Sequence, residues 1–331
     1  MILPDSGRTA KRTAGHTKCP AVRFVFIKLV NIVKSSIATP RNEGLNWFIV
    51  ASCGGAGMAG NKEQILILCK TYPSPSGKHS ETSCVAGIRP NGKFIRLYPI
   101  PFRLINPQQQ FKKWQWVNVH YVKARKDHRP ESHSVVIDAI ECIGDPLPYD
   151  NNWEARREAI KDGLSFSDFE ALENNRKING DTLALLKPTK IKSLDIRKVK
   201  DPDWTKEELD KLLGYQKQAG LFDDEPKDIK LLRKLPFDFY YTYICEVDGK
   251  EREYTHKIVD WEAGALFWRC INDYGDDWEK PFRNKLETEL PNKEIMFLMG
   301  TIHRFPDTWL IISLIYPPKK QPVPKTPDLF A

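Results

Sequence analysis

The sequence predicts an α+β protein with three parts: an N-terminal small β-barrel-like module (58–145), a helical connector (146–235) and a C-terminal α+β module (236–318). Three observations support this. Short apolar runs between turn signals fill the first part, capped helical patterns the second, and strands flanking helices the third. Residues 319–331, rich in Pro and Lys, are expected to be a disordered tail. We expect residues 1–57 to be disordered or an upstream extension of the reading frame.

The barrel-like module is predicted from five apolar strand candidates and one strong hairpin signal. Asn91-Gly92 separates two of the candidates, and both residue types tolerate the positive φ angles of a tight hairpin turn. Five strands in this space are typical of the size class of OB, SH3-like or PUA-like modules, and the sequence does not distinguish among them. The strand candidates are residues 64–72, 83–89, 94–100, 114–123 and 134–143.

The connector and the C-terminal module are predicted from helix caps and from a second group of apolar runs. Asn151 or Asn152 is a candidate cap for a first helix and Ser165 for a second, and Thr205 to Glu208 forms a capping-box pattern that opens a third. The connector is also expected to contain a flexible acidic loop. The C-terminal strand candidates are residues 237–246, 254–259, 294–302 and 308–316, and the helix candidates are 260–270 and 277–289.

Composition indicates a globular protein without a membrane span. Hydrophobic residues make up 41% of the chain and charged residues 28%, and no apolar run approaches the roughly 20 residues that a spanning helix needs. The seven cysteines are odd in number and contain no CxxC pair, which is typical of reduced thiols. We therefore expect a cytoplasmic protein.

The charges are divided unevenly along the chain. Residues 62–130 hold 13 Lys and Arg against three acidic residues, whereas residues 131–331 hold 30 against 38. The formal net charge of +8 therefore combines a basic barrel module, an acidic C-terminal half and the basic residues 1–57. Such an asymmetry favours a module that binds a polyanion, followed by a part with another role.

Cations alternate with aromatic residues in the basic module, which is the mixture that a reader of nucleic acid requires. Lys and Arg neutralise phosphates, and exposed rings stack on unpaired bases. The alternative is that the rings fill the barrel core and the cations are only solvated. The candidate nucleic-acid contacts are Arg96, Arg103, Lys112, Lys113, Trp114, Trp116, Lys123, Arg125, Lys126 and Arg129.

The sequence predicts no metal, no cofactor and no catalytic residue. Cys245, His256, Cys270 and His303 are possible zinc ligands, but every spacing between them is long. Asp260 is better explained as a helix N-cap than as part of a metal site. The charged run 123–133 is typical of a solvated loop, with a phosphate site, or an acid/base site that uses His128 or His133, as the alternative.

Several short motifs resemble a family of uncharacterised bacterial proteins. These motifs are RLYPIPFR at 96–103, KWQW at 113–116, DHRPES at 127–132, DWE at 260–262 and GTIHRFPDTW at 300–309. The resemblance covers residues 58–318. No activity is assigned to that family, so the resemblance implies no catalytic residue.

The pentapeptide QAGLF resembles the peptide with which bacterial replication and repair proteins bind the sliding clamp. Gln218 is expected to hydrogen-bond at one small pocket, and Leu221 and Phe222 to fill an adjoining apolar cleft. The alternative is that the apolar pair folds back into the core.

Three functional hypotheses remain open from the sequence. The first is a nucleic-acid-binding accessory protein of DNA repair, replication or phage defence, with DNA as the expected partner and the sliding clamp as a second one. The second is a nuclease or nucleic-acid-modifying enzyme with a catalytic C-terminal module, so whether the protein is an enzyme is uncertain. The third is a protein-interaction module.

Overall fold

The structure, a computed structural model, describes residues 60–219 and 230–320. The predictions for residues 1–57, for the flexible acidic loop of the connector and for the tail beyond residue 320 fall outside these ranges. Within them the α+β class is confirmed: a small barrel is followed by a part that combines helices with a second sheet.

The N-terminal module is a closed five-stranded barrel. The barrel strands are β1 (Asn61–Lys70), β3 (Ser80–Ile88), β4 (Phe94–Ile100), β5 (Trp116–Lys123) and β6 (Ser132–Val135), and two further short strands are β2 (Ser74–Ser76) and β7 (Glu141–Ile143). The order β1-β3-β4-β6-β5 closes because β1 also pairs with β5. The short strands β2 and β7 pair with the outer parts of β3 and β5. The predicted hairpin joins β3 to β4, with Gly92 at a φ of 79°.

Both faces of β1 are buried, which explains its continuous apolar run. Ile65 and Ile67 point into the barrel, where they pack with Val117 and Val119 of β5. Their neighbours Leu66 and Leu68 belong to a separate core cluster that joins the outside of the barrel to the C-terminal sheet. Because side chains alternate along a strand, such a run predicts a strand covered on two sides.

In the part of the connector that the structure describes, residues 146–219 and 230–235, there are three α-helices and also three strands that the sequence analysis did not predict. They are α1 (Glu154–Ile160), β8 (Ser165–Phe166), α2 (Phe169–Asn179), β9 (Leu183–Leu186), β10 (Lys190–Lys198) and α3 (Lys206–Ala219). The capping box of α3 is confirmed, since the backbone N–H of Glu208 donates to Thr205 Oγ1 at 3.3 Å and that of Thr205 to Glu208 Oε2 at 2.9 Å. The predicted cap of α2 is wrong, because Asp168 rather than Ser165 accepts from the first turn.

The C-terminal part is a seven-stranded sheet with helices packed against it. Its remaining elements are β11 (Phe237–Val247), β12 (Lys250–Ile258), α4 (Trp261–Tyr274), α5 (Glu279–Arg283), a π-helical turn (Asn284–Glu289), β13 (Met296–Thr301) and β14 (Trp309–Ile315). The strand order is β10-β11-β12-β14-β13-β9-β8. Phe267 of α4 and Phe282 of α5 pack on Phe239 of β11. None of the helices in the described ranges is long and apolar enough to cross a membrane.

Candidate nucleic-acid interface

The structure divides the eight predicted cationic contacts into two groups. The exposed side chains are Lys112, Lys123, Arg125 and Lys126. The buried or half-buried side chains, which hold protein partners, are Arg96, Arg103, Lys113 and Arg129. The first group is exposed to a polyanion, although Lys123 also donates to the carbonyls of Arg129 and Pro130. The second group first of all holds parts of the fold together.

Arg96 lies between the barrel and the C-terminal sheet. Only 2% of the residue is exposed, and its guanidinium donates to Thr182 Oγ1 at 3.2 Å, to the Thr182 carbonyl at 3.3 Å and to Ser132 Oγ at 3.4 Å. Burial lowers the pKa of Arg96, and the nearby Cys84, Glu131 and Asp127 act in the opposite direction. The hydrogen bonds of Arg96 therefore connect β4 to the segment that precedes β9.

The DHRPES motif at 127–132 contributes to the same contact between the barrel and the C-terminal sheet, and we call this contact the joint. Glu131 accepts from the backbone N–H groups of Thr182 at 2.6 Å and Leu183 at 3.1 Å, and from Thr182 Oγ1 at 2.7 Å. Arg129 pairs with Asp127 and also donates to the Thr301 carbonyl of β13. Burial opposes the charge of Asp127, but hydrogen bonds from Arg129 and Ser132 hold the pKa of this carboxyl well below its usual value. Only the tip of the run 123–133 is thus a solvated loop.

Most rings of the basic module fill cores. Phe102, Phe111 and Tyr121 lie in the barrel interior, and Phe94 and Trp114 lie in the cluster between the barrel and the sheet. Trp114 is 3% exposed and Trp116 is half-buried. The barrel surface therefore is not a broad stacking platform. Instead, the predicted contacts Lys112, Lys113 and Trp114 come together at the edge of one pocket.

This pocket has a volume of about 450 Å³ and is walled by aromatic residues and cations. Its lining residues are Lys112, Lys113, Trp114, Pro146, Leu147, Pro148, Tyr149, Trp153, Arg156, Glu262 and Tyr316. The Trp153 ring lies 5.9 Å from that of Trp114 and 5.5 Å from that of Tyr316. Tyr149 is 75% exposed, so its ring is free to stack on a ligand. We call this site the aromatic pocket.

Arg156 is the central cation of the aromatic pocket. Its guanidinium carbon lies 4.6 Å from the Trp153 ring centroid and 5.3 Å from that of Trp114, and its Nε donates to the Leu147 carbonyl at 2.9 Å. Burial lowers its pKa, and the neighbouring Tyr316 and Glu262 act in the opposite direction. Within residues 60–219 and 230–320, neither terminal nitrogen has a hydrogen-bond acceptor. These two nitrogens can bind an anion in the fork geometry typical of arginine.

Lys113 and Glu262 also line the aromatic pocket. Lys113 Nζ contacts Glu262 Oε2 at 3.0 Å, donates to the Leu314 carbonyl at 2.9 Å and lies 3.8 Å from Asp260. Burial alone would lower the pKa of Lys113, but the carboxylates of Asp260 and Glu262 outweigh it, and the pKa is raised. Lys113 therefore remains charged and orients Glu262. Asp260 is the N-cap of α4, as the sequence predicted, and accepts from Glu262 N at 2.8 Å.

Backbone conformation at the aromatic pocket is unusual. Trp114 and the three consecutive residues Asn151, Asn152 and Trp153 have φ angles between 43° and 67°. For residues other than glycine, and for tryptophan in particular, this left-handed region is costly and concentrates at functional sites. The same turn explains why the predicted asparagine cap of α1 is wrong: Trp153 occupies the cap position, and no side-chain hydrogen bond is made there.

Sequence reasoning missed five residues of the aromatic pocket: Tyr149, Trp153, Arg156, Glu262 and Tyr316. Tyr149, Trp153 and Arg156 lie just beyond the predicted barrel boundary, in a segment assigned to helix capping. A cluster of two aromatic residues and an arginine around Asn151 and Asn152 was the available signal. No local signal connects this segment to Glu262 or Tyr316, which are more than 100 residues away along the chain.

The residues weighed as zinc ligands lie in different surroundings. Cys245 and Cys270 are buried thiols, and the ring of His256 is hydrogen-bonded to the Tyr243 hydroxyl. His303 is exposed in the β13–β14 turn. In the ranges that the structure describes, no three His, Cys, Asp or Glu side chains are grouped so as to hold a metal ion.

The fold and the site together define a protein with a small barrel and an α+β part, in which residues of both parts line a pocket of aromatic side chains and cations. The chain belongs to the family described as a domain of unknown function, DUF8757, whose model matches residues 164–331. Residues 61–162 match the model of a second domain of unknown function, DUF8758. The resemblance to a family without an assigned activity is thereby confirmed.

Solved structures are also similar to the chain, and one of them is a weak match. A chain from "Structure and Conformational Change of a Replication Protein A Heterotrimer Bound to ssDNA" is similar over 78% of this chain and 66% of that chain, at 9% identity and a TM-score of 0.21. A TM-score this low supports no conclusion about fold or function. No curated protein matches the chain.

Proposed function

We propose that the protein binds single-stranded nucleic acid and holds one nucleotide in the aromatic pocket. One observation carries the proposal: Lys112 and the fork of Arg156, which have no anionic partner among the described residues, line the same pocket as the exposed ring of Tyr149. A base stacked on an aromatic ring contributes about 1–3 kcal/mol of binding free energy, whatever its identity. The cations would neutralise the adjoining phosphates.

The charge distribution supports the same proposal. The segment 62–130 is strongly basic, and Lys123, Arg125 and Lys126 add exposed cations near one end of the barrel. Binding of this kind releases counterions from the nucleic acid, so its affinity falls steeply as salt rises. We place such a protein in DNA repair, replication or phage defence, as an accessory factor.

The experiment measures fluorescence anisotropy of a labelled 12-nucleotide single strand of mixed sequence, with the full-length chain. The double variant Lys112→Glu with Tyr149→Ala is expected to weaken binding about 30-fold or more, since it removes one stacking ring and reverses one phosphate contact. Both side chains are exposed, so the melting temperature should not change. Lys113 is unsuitable for this test, because its ion pairs hold α4 to the barrel.

The matched control is Lys190→Glu with Tyr274→Ala, which makes the same chemical changes at exposed positions outside the pocket. The control variant is expected to bind like the wild type. Equal affinities for both double variants would exclude the aromatic pocket as the binding site. Cleavage of the labelled strand on addition of magnesium would instead support the nuclease hypothesis.

Binding to the sliding clamp is a separate proposal. Gln218 belongs to the last turn of α3, whereas Leu221 and Phe222 lie outside the described residues. Replacing Leu221 and Phe222 by alanine is expected to abolish binding to a purified bacterial clamp and to leave the melting temperature unchanged. A fall of several kcal/mol in unfolding free energy would show instead that the pair belongs to the core. Wild-type protein without measurable clamp binding at about 50 μM would exclude this partner.

A further inference from the structure

Glu262 presents a fixed hydrogen-bond acceptor to the aromatic pocket. It lies in the first turn of α4, and 53% of its side chain is exposed. One carboxylate oxygen, Oε2, contacts Lys113. The other, Oε1, has no hydrogen-bond donor among the residues that the structure describes.

Two anchors hold this acceptor in place. Lys113 is fixed by the Leu314 carbonyl and by Asp260, and Asp260 in turn accepts from the backbone N–H groups of Glu262 and Leu314, both at 2.8 Å. The carboxylate therefore does not have to be ordered when a ligand enters. This lowers the entropic cost of any hydrogen bond that it accepts.

Glu262 lines two adjoining pockets. Together with Tyr316 it lines both the aromatic pocket and a neighbouring pocket of about 280 Å³. The aromatic rings and Arg156 form the rest of the wall. Because the rings and this carboxylate line the same pocket, a base that stacks on one of the rings can turn its polar edge towards Glu262.

We infer that Glu262 makes the pocket selective for bases that carry an exocyclic amine. An ionised carboxylate only accepts hydrogen bonds. Cytosine, adenine and guanine offer an amino group, whereas thymine and uracil place carbonyl oxygens on both sides of a single N–H. The carboxylate therefore attracts the edge of the first three bases and repels a carbonyl of the other two. This inference rests on the proposed binding of nucleic acid.

The test compares oligo-dC and oligo-dT of 12 nucleotides, which share ring size, length and charge. Wild-type protein is expected to bind oligo-dC about tenfold more tightly, which corresponds to about 1.4 kcal/mol. The variant Glu262→Gln should reduce this preference to about twofold or less, because an amide both donates and accepts. Its oxygen can still accept from Lys113, so the fold should be preserved.

The matched control is Glu207→Gln, which removes one negative charge from an exposed residue of α3. The control variant is expected to keep the tenfold preference. Wild-type protein that binds oligo-dC and oligo-dT equally, or Glu262→Gln that retains the preference, would overturn the inference and leave the proposed function standing. Absence of binding to either strand would contradict both the inference and the proposed function.

Discussion

Replacing Glu131 by alanine is expected to lower the free energy of unfolding by about 3–5 kcal/mol, the range for removing one partner from a buried charged network. Glu131 is 8% exposed and accepts three hydrogen bonds from Thr182 and Leu183. Without it, two buried backbone N–H groups lose their acceptor, and each unsatisfied group costs about 1–3 kcal/mol. The effect is large because the contact joins β9 to the barrel.

Urea denaturation followed by tryptophan fluorescence measures this loss. Glu131→Gln retains an oxygen that accepts from the backbone and is expected to cost clearly less than alanine. Glu158→Ala removes a carboxylate of the same type from an exposed ion pair and should change stability by less than about 0.5 kcal/mol. A loss below about 1 kcal/mol for Glu131→Ala would contradict the assigned role of the joint.

Acid is expected to destabilise the protein through His256. The imidazole is largely buried beside Phe169, at 4.5 Å between ring centroids, and its Nδ1 lies 3.0 Å from the Tyr243 hydroxyl. Burial lowers the pKa of His256 to about 4 from an ordinary 6.5. Between these two pH values the unfolded chain binds more protons than the folded one, so stability falls as the pH falls. The loss over this window is about 3 kcal/mol.

The measurement is urea denaturation at pH 7, 5.5 and 4 for the wild type and for His256→Asn. Asparagine offers an oxygen to the Tyr243 hydroxyl and does not titrate, so the variant should lose about 3 kcal/mol less than the wild type between pH 6.5 and 4. Carboxylates that titrate in the same range contribute equally to both curves. His128→Asn, at an exposed position, is the control and should follow the wild type. Parallel curves for wild type and His256→Asn would contradict the prediction.

The aromatic pocket depends on both matched segments of the chain. Lys112, Tyr149 and Arg156 lie in the segment 61–162, whereas Glu262 and Tyr316 lie in 164–331. The joint formed by Arg96 and Glu131 holds the barrel against the C-terminal part, in which Glu262 lies in the first turn of α4 and Tyr316 follows β14. The short motifs at 96–103, 127–132 and 260–262 thus have a structural explanation, since they contain residues that connect the two parts.

Local sequence signals determined the α+β class and many of the elements. The Asn91-Gly92 hairpin, the capping box at Thr205 and the N-cap at Asp260 all follow the prediction, because each depends on residues within four positions of one another. Strand β9 was missed for the opposite reason. Four consecutive apolar residues read equally well as a buried helix segment, and only pairing with β13 decides for a strand.

Charge and composition determined that the first module is basic, and only the tertiary structure decided what each cation does. Arg96 and Lys126 are equivalent in the sequence, yet one is buried in a joint and the other is exposed. The aromatic pocket likewise joins Lys112 to residues up to 204 positions away. Burial and pairing depend on contacts between distant segments, which no local pattern of residues records.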